Sequence, residues 1–147
     1  MTFSQFKCEF DVVRDKCRDI RSLVEELDHL EEERLKEIGN GAIDYSADRV
    51  QHTTDPDKAM IYKLDSIDRE KTKKKTRLAR LREEIEPFET MIYKADGLGA
   101  IVGRRFILDG QPMKEVSKAL NYHVSHCYGF WNRTMHQLYE EGGWDKK

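Results

Sequence analysis

Near the N-terminus, apolar residues fall at Phe6, Phe10, Val13, Cys17, Ile20, Val24 and Leu27, with spacings of 4, 3, 4, 3, 4 and 3. That alternation puts all seven on one stripe of a helix, and a stripe sustained over three heptads is a coiled-coil seam. Leu30 and Leu35 extend it less regularly. The spacing predicts a helix from Ser4 to Ile38. Gly39-Asn40-Gly41 is expected to end it, because glycine just past the last turn accepts a left-handed backbone. The polar, small-residue stretch from Ala42 to Thr54 has no stripe and reads as a loop.

A second long helix is expected from Asp55-Pro56, with Asp55 as N-cap and Pro56 in the first helical position. Its stripe is Ile61, Leu64, Ile67, then Leu78, Leu81, Ile85, Phe88 and Ile92, and Pro87 is expected to kink or interrupt it. Between the two halves of the stripe the seam positions are Lys71 and Lys74. Lysine in a seam lowers stability and helps set register or oligomeric state. A two-helix pairing inside one chain would leave a mismatch there. A homodimer through residues 4–38 and 57–94 is therefore expected, with Phe10, Val13, Cys17, Ile20, Val24 and Leu27 as its seam.

The charges along these helices are segregated. Glu25, Glu26, Asp28, Glu31, Glu32, Glu33 and Glu37 crowd the first. Arg69, Lys71, Lys73, Lys74, Lys75, Arg77, Arg80 and Arg82 crowd the second, against a single Glu70. The basic run suits nucleic acid, but an antiparallel hairpin brings it beside the acidic run, and pairing across the hairpin is the favoured reading. Charged residues are 37% of the 147 and apolar residues 38%, a balance that suits elongated helices burying only a stripe. The net charge of -2 excludes a polycation, so any DNA binding must come from local patches. Cys8, Cys17 and Cys127 are odd in number and scattered, as expected of reduced thiols in the cytoplasm. No apolar run approaches the ~20 residues of a membrane span, and no signal-peptide core follows Met1.

The C-terminal third has a different grammar. Gly97 and Gly99 flank its entrance, so the chain divides into a hairpin, residues 1–96, and a small helical domain, residues 97–147. Gly110-Gln111-Pro112 opens a short helix, with Pro112 suited to the first turn. Val116, Ala119 and Leu120 form its stripe, Asn121-Tyr122-His123 breaks it, and a second helix carries Cys127, Phe130, Met135 and Leu138 inward. Two short helices joined by so tight a turn cross steeply and present the second outward, the posture of a helix-turn-helix entering a major groove. The fold class expected is all-α: a long coiled-coil-like hairpin followed by a helix-turn-helix bundle.

The tract from Arg105-Phe106-Ile107-Leu108-Asp109-Gly110 through Glu115-Val116-Ser117-Lys118-Ala119-Leu120-Asn121-Tyr122 to Ser125-His126-Cys127-Tyr128 resembles region 4 of bacterial sigma-70-type factors. It is more similar still to small phage-encoded transcription regulators built on that module. The match covers about a quarter of the chain. Ser46 to Lys58 also resembles the polar loop that precedes a second long helix in those regulators. The resemblance implies binding to double-stranded promoter DNA, with the hairpin serving dimerisation or contact with RNA polymerase. The chain departs from the pattern at His123, where a small N-cap hydroxyl is usual, and at Val124 and Gly129, where polar readers are common.

The candidate base readers are Ser125, His126, Tyr128 and Asn132, whose hydroxyl, imidazole and amide groups suit base edges. Arg104, Arg105, Lys114, Lys118 and Arg133 are the candidate phosphate contacts. The face itself holds one permanent positive charge. That weakness supports an alternative, a protein-binding adaptor or inhibitor that kept the fold without reading DNA. No enzyme constellation is present. His123 and Cys127 are an i, i+4 pair without further ligands, Gly97-Leu98-Gly99 lacks the context of a phosphate loop, and His52, Trp131 and Trp144 read as surface or packing residues. Neither a cofactor nor a metal is expected.

Overall fold

The computed structural model describes residues 1–47 and 56–143, with side chains for 1–39 and 58–143. Among the described residues the chain is all-α: α1 (Phe3–Ala47), α2 (Pro56–Lys94), α3 (Leu98–Gly103), a π-helical turn (Arg104–Leu108), α4 (Met113–Leu120) and α5 (Val124–Glu141). None of these helices is long and apolar enough to cross a membrane. The chain divides into two compact units, residues 1–20 with 81–147 and residues 21–80. The boundary read from sequence at residues 96/97 falls inside the first.

One expected helix end, at Gly39-Asn40-Gly41, and one expected interruption, at Pro87, are not breaks. α1 runs through Gly39-Asn40-Gly41 to Ala47, so residues 42–47 are helix where a loop was expected. Each helical glycine costs about 1 kcal/mol relative to alanine. That cost weakens a helix without ending it, and a Cβ at Gly39 would meet open space. α2 is one helix across Pro87. Proline removes one intrahelical bond, and Pro87 is exposed. Pro56 begins α2 as expected. Asp55, His52, Trp144 and most of the Ser46–Lys58 tract lie outside the described residues.

The first unit holds the main core. Phe6, Phe10, Val13 and Cys17 from α1 are buried, as are Ile85 and Ile92 from α2. They join Val102, Ile107, Val116, Cys127, Trp131 and Met135 in one apolar cluster. The rings of Phe6 and Phe88 both stand edge-on to Phe10, and Trp131 closes on Phe10 at 5.2 Å. Arg14 of α1 donates to the Phe106 carbonyl at 3.0 Å and lays its guanidinium over the Phe106 ring. Tyr139 of α5 donates to the Met1 carbonyl, and Lys16 pairs with Glu84 at 2.9 Å.

The second unit is an antiparallel pair of helix segments. Leu23, Leu30 and Leu78 are buried, with Leu27, Leu64 and Ile67 half-buried. Lys74 reaches Glu26 at 2.8 Å, Lys71 pairs with Glu31, Arg34 meets Asp68 at 3.1 Å, and Lys63 meets Glu37 at 3.7 Å. The acidic and basic runs pair across the hairpin, as favoured from sequence.

Two expectations about the seam are corrected. Val24 is exposed, and the buried stripe in the second unit runs instead through Leu23, Leu27 and Leu30. From Cys17 through Ile20 to Leu23 the stripe takes two successive steps of three. This is a stammer, which moves the apolar stripe part-way round the helix, and it falls at the boundary between the units. The lysine mismatch is also absent, because Lys71 and Lys74 are half-buried and each meets a carboxylate of α1. Phe10, Val13 and Cys17 are covered within their own chain, so they are not free to form the seam of a homodimer.

Candidate nucleic-acid interface

α4 and α5 are joined by the expected three-residue turn. Pro112 is the N-cap of α4 rather than its first helical residue, with extended backbone, and its carbonyl accepts from Glu115 and Val116. α4 ends at Asn121, which takes the left-handed conformation at φ 61° and ψ 39°. Asparagine tolerates that region better than most residues. The N–H of Tyr122 then donates to the Ser117 carbonyl, tightening the end of the helix. Met113 and Val116 are buried from α4, whereas Ala119 is exposed and Leu120 half-buried.

α5 starts with an imidazole cap. The Nδ1 of His123 accepts from the Ser125 N–H at 3.2 Å and lies 2.8 Å from the Ser125 Oγ. The imidazole nitrogen thus takes the place of the small N-cap hydroxyl that the sequence lacks at this position. Cys127, Trp131, Thr134, Met135 and Leu138 form the buried stripe of α5. Phe130, expected inward, is half-buried, with Tyr122 edge-on at 5.1 Å and the Arg133 guanidinium 5.7 Å from its ring centre.

Opposite that stripe, Ser125, Asn132 and Arg133 are exposed and share one face through the i, i+7, i+8 spacing. His126 and Tyr128, also exposed, flank it on opposite sides. Tyr128 stands edge-on to Phe106 at 6.0 Å, and with Lys7, Asp11 and Asn132 it lines a shallow cleft beside α1. It therefore sits at the rim of this exposed polar face rather than its centre.

The candidate phosphate contacts separate into two groups. Lys114, Lys118 and Arg133 are exposed and Arg105 is half-buried. Arg104 is put to a different use: its guanidinium donates to the carbonyls of Tyr93 and Ala95, both at 3.2 Å, and lies over the Tyr93 ring. It caps the C-terminal end of α2, where carbonyls lack intrahelical partners. Arg104 continues α3 with ordinary helical backbone and opens the π-helical turn, which the Asp109 N–H closes by donating to the Arg104 carbonyl. No pattern in the sequence marks such a turn.

Among the described residues no group of three His, Cys, Asp or Glu side chains is placed to hold a metal ion. Cys127 is buried, and burial pushes its thiol above the ordinary cysteine range. No protein-family model, curated protein or solved structure matches the chain. The sigma-type resemblance therefore stands on the residues of the tract itself.

Proposed function

We propose that the protein is a transcription regulator of phage or mobile-element type that binds promoter DNA by laying α5 in a major groove. The observation that carries this reading is the face of α5 opposite its buried stripe: polar, exposed, and set at the outer end of a tight helix-turn-helix. Ser125, His126, Asn132 and, from the rim, Tyr128 offer donors and acceptors to base edges. Lys114, Lys118, Arg105 and Arg133 supply the phosphate charge. Host RNA polymerase is the protein partner this reading implies.

The test is selection of a preferred site from a pool of random duplexes, followed by binding at two salt concentrations. The expected result is one enriched site and an affinity that falls with salt. Replacing Lys114, Lys118 and Arg133 by alanine should weaken all duplexes alike and flatten the salt dependence. A parent that enriches nothing rejects the reading.

The loss of Arg104 to an internal cap favours the second reading, an adaptor or inhibitor that binds a protein, because it leaves the reading face still poorer in positive charge. In either reading a homodimer would have to use apolar side chains other than the buried seam. Leu35, Ile38, Ile61 and Tyr62 of the second unit are exposed. Light scattering at micromolar concentration tests for it, and a mass near 17.3 kDa rejects it.

A further inference from the structure

Gly129 is the sixth residue of α5, inside a helix where glycine is less stabilising than alanine. Nothing among the described residues demands it. A Cβ built there would meet no atom within 4 Å. The two glycines of α3 differ sharply: a Cβ at Gly99 would lie 2.4 Å from the Phe130 carbonyl oxygen, and one at Gly103 would lie 2.3 Å from the Trp131 ring. Those two are required by packing, and Gly129 is not.

Its position is specific. On a helix surface the neighbours of Gly129 are the residues three and four away, here Ser125, His126, Asn132 and Arg133. All four are exposed and polar. Gly129 is thus a gap at the centre of the reading face, where bare backbone is ringed by groups able to bond base edges or phosphate. Glycine at such a place lets a ligand come up against the backbone.

We propose that Gly129 is a positioning residue for DNA: its missing side chain lets the axis of α5 sink far enough into the major groove for Ser125 and Asn132 to reach base edges. This rests on the DNA-binding reading above. It predicts that the chain trades fold stability at this position for depth of docking.

The experiment compares the parent with Gly129→Ala, both as the full chain. Duplexes of two helical turns, about 20 base pairs, are first selected by the parent from a random pool. Affinity is then measured for the selected duplex and for a scrambled one, alongside thermal unfolding. The alanine variant should unfold at a higher temperature than the parent, bind the selected duplex roughly tenfold or more weakly, and bind the scrambled duplex as the parent does. If the variant is stabilised yet binds the selected duplex within about twofold of the parent, the role assigned to Gly129 is wrong while DNA binding stands. If the parent enriches no duplex, the DNA reading fails and this inference falls with it. A variant that unfolds at a lower temperature would contradict the premise that the position is open.

Discussion

Gly99→Ala, the same chemical change at the other end of the module, should have the opposite effect on stability. The added Cβ would lie 1.8 Å from the Thr134 Oγ1, 2.9 Å from the Thr134 Cβ and 2.4 Å from the Phe130 carbonyl oxygen. The hydroxyl can rotate away. The carbonyl cannot, because it belongs to the backbone of α5. A carbon normally approaches a carbonyl oxygen to about 3.3 Å, so α3 would have to retreat from α5 by roughly 1 Å. Such overpacking costs about 1–3 kcal/mol, and the helical preference of alanine returns at most about 1 kcal/mol. A net loss of about 1–2 kcal/mol in a unit of this size lowers Tm by roughly 5–15 °C. Thermal unfolding followed by circular dichroism reads the change, with Gly129→Ala as the control that should move the other way. Adding Thr134→Ala to Gly99→Ala tests the cause, since it relieves the hydroxyl clash but leaves the carbonyl in place. Full recovery in that double variant, or a Gly99→Ala protein as stable as the parent, would refute the claim that backbone spacing between α3 and α5 demands this glycine.

Arg104→Gln should lower Tm, because the carbonyls of Tyr93 and Ala95 lose a charged donor, yet leave the salt dependence of DNA binding as it was. A flatter salt slope in that variant would return Arg104 to the phosphate contacts. The Glu31–Lys71 pair should make stability sensitive to acid. The hydrogen bond and charge of Lys71 hold the Glu31 carboxyl below its ordinary value of 4.5. A depressed carboxyl contributes stability above its unfolded pKa and loses it as pH falls through the folded one. The parent should therefore weaken as pH drops below about 4.5, and Glu31→Gln should show a smaller part of that decline. Unfolding at a series of pH values decides it, and superimposable parent and variant profiles would argue against the pair.

The periodicity of the helices was legible wherever one face of a helix met one partner. Phe6, Phe10, Val13 and Cys17 are buried where the heptads place them, and so are Leu78, Leu81, Ile85 and Ile92. The pattern misled at Val24 because Leu23 and Val24 are adjacent apolar residues, and a heptad count extended from the N-terminus selects the second. The structure selects the first, since the stripe shifts at Ile20. Lys71 and Lys74 misled for a related reason. A lysine in a seam is a mismatch only against an apolar or basic partner, and the partner depends on the register of the pair. Once Glu26 and Glu31 face them, each ammonium and carboxylate satisfies the other at the edge of the interface.

At the candidate site, what the sequence carries is residue type, and what it lacks is direction. The turn at Asn121 and the buried Cys127 follow from local preference and spacing, and both are where the tract put them. Arg104 and Arg105 are adjacent and chemically alike, so nothing in the sequence separates them. The structure does, by placing the Arg104 guanidinium at the end of α2. Gly129 makes the same point in reverse. In the sequence it is a departure from a family pattern and a weak spot in a helix. In three dimensions it is the one glycine of this module's helices that no neighbour within the described residues requires. Gly129 lowers helix stability without serving the packing of the described residues, and on the exposed polar face of α5 the reason we propose for it is the DNA that this face would meet.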